Sequence, residues 1–206
     1  MLEIFKSGGP LMYVILILSI LGFTVVIDRF IYFFTKEKGN TEDIKFELEK
    51  AIRNNNKEEA LELCDLYLNS SSIVLKELIN EIDFDDNKID ILALEEKGRE
   101  VALSMLPRLE KNMWLLEVSA NVTPLVGLLG TVSGMIIAFK DIAQVGTGNP
   151  EVLAVGISQA LITTAAGLTV AIPSVIFYNY FNKKIDNIIN DIEKSSVELI
   201  NLLRKR

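Results

Sequence analysis

The chain has 206 residues, half of them hydrophobic, with a mean hydropathy of +0.31, yet 24% of it is charged. With a net charge of −7, no histidine and one cysteine, Cys64, it offers no basic face for phosphates, no internal disulfide and no ligand set for a transition metal. Apolarity and charge coexist because they are segregated into long uncharged runs and charged connecting segments.

The opening "MLEIFKSGGP" lacks the form of a cleavable signal, because it carries an acid and leads into an apolar stretch too long for a signal core. Residues 1–9 are expected to face outward and 10–35 to form the first membrane span. That run is uncharged from Ser7 to Ile27 and continues as "FIYFF" after Asp28 and Arg29. These two charges are expected to anchor the inner interface, with Arg29 snorkelling.

Residues 36–113 form the predicted cytoplasmic helical segment. Segment 36–117 holds twenty acidic residues, and its apolar residues recur at helical spacing. The sets are Ile44, Leu48, Ala51 and Ile52; then Ala60, Leu63, Cys64 and Tyr67; then Leu75, Leu78, Ile79 and Ile82. Three or four short amphipathic helices follow, broken at "NNN" (54–56), "NSSS" (69–72) and "DFDDN" (83–87), the first two supplying N-caps. From Lys88 the pattern runs to Glu117 as one long helix, kinked at Pro107, that continues into the second span.

The second span, 114–140, is uncharged from Val118 to Phe139, and the third, 152–180, from Val152 to Asn182. The outer loop, 141–151, turns at Gly146 and Gly148, and Asn149 with Pro150 starts the next helix. The third span continues into 181–206 as a cytoplasmic amphipathic helix with Ile185, Ile188, Ile189, Ile192, Leu199 and Leu203 in one stripe. Lys and Arg set the orientation: Lys6 and Lys140 stand alone on one side, against twelve in 36–113 and six in 183–206. The N-terminus is therefore expected outside and the C-terminus in the cytoplasm.

On a helical wheel, Gly156, Ala160, Thr164, Gly167, Ala171 and Ser174 share one face of the third span. Ala120, Thr123, Gly127, Thr131, Gly134 and Ala138 share one face of the second. Counted from the outer ends, Thr131 and Thr164 fall about 14 and 20 Å deep, near the midplane of a roughly 30 Å core. Small stripes of this kind also serve plain close packing, with threonines bonding back to their own helix. Between their flanking charges the two spans hold no acid or base. An ion path along them would need a carboxylate from another chain.

"PLVGLLGTVSGMIIAF" followed by "GISQALITTAAGLTVAIPSVIFYN" resembles the signature spans of the ExbB/TolQ proton-channel proteins, relatives of MotA, and most resembles the ExbB branch. The resemblance implies an all-α membrane protein: three transmembrane helices extended by long cytoplasmic helices, assembled as a homopentamer around a central pore. It implies an ExbD/TolR-like single-span partner with a membrane aspartate, and a TonB- or TolA-like protein beyond it. The implied role is that of an inner-membrane motor subunit, not an enzyme, and without a cofactor. It converts proton or ion motive force into mechanical work for TonB-dependent transport. Thr131 and Thr164 match the family's pore threonines, and Gln159, Gly127, Gly134, Ala160 and Gly167 complete the implied pore lining. Gln159 stands where many relatives carry glutamate. The alternatives are a TolQ-type subunit for envelope integrity, or a passive scaffold or channel. A holin-like pore would leave the long cytoplasmic segment without a reason.

Overall fold

A computed structural model describes residues 8–37, 41–67, 69–82, 90–145 and 150–204. All regular structure among them is helical: α1 (Leu11–Thr35), α2 (Thr41–Arg53), α3 (Lys57–Leu66), α4 (Ser70–Glu81), α5 (Ile91–Leu109), α6 (Met113–Val145) and α7 (Pro150–Arg204). Of these, α1, α6 and α7 are long and apolar enough to cross a membrane. The 55-residue α7 is about 80 Å long at 1.5 Å per residue, so the third span and the tail are one helix, as expected. The expected turn at Gly146 and Gly148, the cap at Asn149 and the break at 83–87 lie outside the described residues.

The chain divides into two compact units, Met1–Asp28 with Asn112–Phe181, and Arg29–Lys111 with Asn182–Arg206. The second unit has a water-soluble type of core. Leu48, Ala51, Ile52, Ala60, Cys64, Leu75, Leu78, Ile79 and Ile82 are buried, as are Ile185, Ile188, Ile192, Leu199 and Leu203 of α7. Helix starts follow the sequence signals. Asn56 Oδ1 accepts from the Glu59 N–H, and Asn69 Oδ1 from the Ser72 N–H. Of "NSSS", only Asn69 lies outside the helix, because it alone is needed as the cap; the three serines form the first turn of α4. The Glu37 carboxylate adds to that cap, accepting from the Ser70 N–H at 3.1 Å and the Ser70 hydroxyl at 2.6 Å.

Two expectations are corrected here. The long helix from Lys88 into the second span is broken at Glu110–Asn112, and Pro107 lies undisturbed in the last turn of α5. Asn112 has φ 62°, a left-handed conformation that asparagine tolerates and that ends a helical run. Arg29 does not snorkel: it is 2% exposed. Its Nη1 donates to the carbonyls of Arg108 (3.0 Å) and Leu109 (3.2 Å), and its guanidinium lies 4.8 Å from the Tyr32 ring centroid. A buried cation is held there because the last carbonyls of α5 lack helical partners and carry the negative end of the helix dipole.

Candidate functional site

The first unit is built on the small residues of α6 and α7, which face each other. A methyl group built on Gly127 would stand 3.1 Å from Thr164 Cα; on Gly134, 3.0 Å from Ala160 Cβ; and on Gly167, 2.8 Å from the Thr123 carbonyl oxygen. The stripes expected to face a pore thus pack the hairpin internally. Lipid tails give large apolar residues no reason to hide, so close backbone approach and dispersion hold such helices together. The large residues point away from the hairpin, with Leu125 63%, Leu129 55% and Ile136 62% exposed.

Helix α1 covers one flank of this hairpin. Ser119 Oγ donates to the Leu18 carbonyl at 3.0 Å. Near its start, the buried Thr163 hydroxyl lies 2.8 Å from the Gly8 carbonyl and 3.0 Å from that of Gln159. Gly9, at φ +76°, leaves room for the Gln159 amide, whose Nε2 would stand 2.7 Å from a methyl group there. Gln159 therefore belongs to the α1 side, clasped with Thr163 against the Gly8–Gly9 turn.

Thr131 and Thr164 lie on the other edge of the hairpin. Both are partly exposed. Thr164 Oγ1 donates across the helix pair to the Gly127 carbonyl at 2.8 Å, and Thr131 Oγ1 to the Leu128 carbonyl of its own helix at 2.6 Å. Gly127 is one turn from Thr131, so the two hydroxyls share a short stretch of the hairpin. Each proton is committed to a carbonyl, which leaves the oxygen lone pairs free to accept a hydrogen bond or solvate a cation. At 100° per residue, the flank of α6 beyond Thr131 carries Pro124, Leu128, Asn121 and Glu117. The matching flank of α7 carries Leu161, Leu168, Ile172 and Asn179, all exposed.

The sequence therefore located the threonines but not the division of labour. The structure brings Thr164 to Gly127, Gly134 to Ala160, and Gly167 to Gly127 and Thr123, and it sets Gln159 apart from Thr131 and Thr164, beside Thr163. Thr163, which the stripe pattern passes over, is the residue joining three elements; its position above Gly130 is set by three-dimensional packing. Asp28 and Arg29 lie outside this site, with Arg29 assigned to the α5 terminus.

The sequence pattern of the MotA/TolQ/ExbB proton channel family matches residues 68–194, more than half of the chain. The chain belongs to this family. The biopolymer transport protein ExbB of Neisseria meningitidis is 28% identical over 216 residues, covering 98% of this chain and 97% of that protein. ExbB of Salmonella typhimurium is 37% identical over 120 residues, 56% of this chain and 49% of that protein. ExbB of Aquifex aeolicus is 41% identical over 85 residues, 41% of this chain and 57% of that protein. Several of its relatives are thus matched over only about half to two thirds of their length. Family membership and the three long apolar helices make it a membrane protein with transmembrane helices of the proton-channel type.

Proposed function

We propose that the chain is a non-enzymatic motor subunit of the bacterial inner membrane, coupling ion motive force to mechanical work. Five copies surround a pore, with the flank that bears Thr131 and Thr164 turned inward and α1 outward. The N-terminus is outside the cytoplasm and the C-terminus within it. An ExbD/TolR-like single-span partner brings a membrane aspartate into the pore, and a TonB-like protein receives the motion to energise outer-membrane transport. One observation carries this reading: two threonines from antiparallel helices share one open edge, their protons engaged and their lone pairs available. A protonated aspartate can donate to such an oxygen, and an ionised one is left for a passing cation to neutralise. One charge crossing 100 mV releases about 2.3 kcal/mol, so a few ions per cycle suffice for mechanical work without nucleotide.

The test is energised transport by cells expressing the chain with its partner. Thr164→Ala and Thr131→Ala should each abolish transport while the complex still assembles. Full activity in both variants would contradict the pore role and leave a passive scaffold.

A further inference from the structure

The sequence places Glu117 at the border of the second span, as the charge that ends it. The fold places it within the first unit. Helix α6 begins at Met113, so Glu117 lies on its second turn. Ser119 bonds Leu18 of α1, and a methyl group on Gly22 would meet Ser119 Oγ at 3.0 Å and Ser174 Oγ at 3.6 Å. Gly22, Ser119 and Ser174 therefore share one level of the three-helix unit. Glu117 is two residues away, about 3 Å by helical rise, and Asp28 is about 9 Å beyond Gly22 along α1. Glu117 thus stands inside the level of the charge that closes the apolar run of α1.

Its direction is equally specific. Ser119 faces α1, and Gly127, Gly130, Gly134 and Ala138 face α7. Glu117 is exposed on the remaining flank, the one with Thr131 at its edge. Asn121, also exposed, sits one turn further along the same flank. Exposed threonines elsewhere in the long apolar helices are satisfied by their own helix: Thr24 by Ile20, Thr169 by Ala165. A carboxylate has no proton to give a carbonyl, and an amide can give one but keeps an acceptor oxygen that its own helix does not meet. On a membrane helix they call for water or another chain.

Taking the pore reading above as its basis, we propose that Glu117 is an ion-relay carboxylate of this chain's own, on the cytoplasmic leg of the path, with Asn121 the next polar group along the flank that leads to Thr131 and Thr164. The carboxylate takes the proton that a hydronium ion gives up, leaving water, and returns it to the next water; only O–H bonds are made and broken. Repeated around a ring of copies, Glu117 forms a ring of acids of the kind that selects cations.

The test is proton flux into vesicles holding the full chain with its single-span partner, under an imposed membrane potential. Glu117→Gln should lower flux at least tenfold. Glu117→Cys should be equally poor, and modification with a carboxyethyl methanethiosulfonate, which restores a carboxyl group, should restore flux several-fold, whereas a positively charged one should not. The native thiol, Cys64, is buried and its pKa is pushed up to about 11, so it does not compete. If both reagents act alike, or if E117Q conducts like the native chain while T164A is blocked, the relay role is wrong and the pore reading stands. If T164A also conducts like the native chain, the pore reading falls and takes the relay with it.

Discussion

The two units invert each other's rule of packing. In the unit of α2–α5, Leu78, Ile79 and Ile82 are at most 2% exposed, and among the described residues every charged side chain but Arg29 is at least partly exposed. In the unit of α6 and α7, Thr123, Thr163, Ala138 and Ala160 fill the buried contacts, whereas Leu125, Leu129 and Ile136 are more than half exposed. One chain thus folds against two solvents. Water drives large apolar groups inward, but hydrocarbon does not, so small residues win the interior by allowing close approach. A consequence for function follows: in the membrane unit an exposed polar side chain that its own helix cannot satisfy marks a place where lipid is absent, which is the inverse of what exposure means in the other unit.

The sharpest way to break this contrast is a matched pair of truncations. Leu78→Ala should cost about 2–5 kcal/mol, the usual loss for emptying a buried leucine site. Leu129→Ala, on the open face of α6, should cost less than about 0.5 kcal/mol. Unfolding of the detergent-solubilised protein, followed by unit-specific fluorescence labels, would read both; equal costs would remove the contrast. The reverse substitution comes next. Gly167→Val should cost about 1–3 kcal/mol, because the Thr123 carbonyl in its way is backbone and cannot swing aside.

The smallest effect is on pH dependence. Burial holds the Glu37 carboxyl above its ordinary value, against the lowering influence of its Ser70 bonds and of Lys184. A carboxyl whose folded pKa is raised binds its proton better when folded. Its contribution to stability is therefore fully present below the unfolded pKa and is lost as pH rises through the folded one. Glu37→Gln keeps an acceptor for Ser70 and should flatten that part of the stability–pH curve. An unchanged slope would show that Glu37 does not titrate there.

Much of this fold was legible from periodicity. The three spans, the caps at Asn56 and Asn69, and the stripe of the tail are local patterns, and local patterns survive folding. The break at Asn112 was not, because an asparagine in left-handed conformation carries no warning comparable to Pro107, and the proline did nothing in a last turn. Arg29 was misread because its partners, the carbonyls of Arg108 and Leu109, are 79 and 80 residues away. The site was half legible. A wheel finds the faces of α6 and α7 but does not say which neighbour each face meets. The small stripes met each other, Gln159 met Gly9, and the flank left open was the one beside the threonines. Glu117 was set aside as a boundary because an uncharged run ends at a charge, whereas a helix does not.

The central claim is that this open flank, rather than the large-residue face, borders water within the membrane. Single cysteines at Asn121, Leu128, Leu161 and Leu168, and at Leu129 and Ile136 as the contrasting set, can be introduced into a Cys64→Ala background of the full chain assembled with its partner. Reaction with a charged, membrane-impermeant thiol reagent should be fast at the first four positions and at least tenfold slower at the last two. Faster reaction at Leu129 and Ile136 than at Asn121 and Leu161 would place the water on the other face and contradict the account.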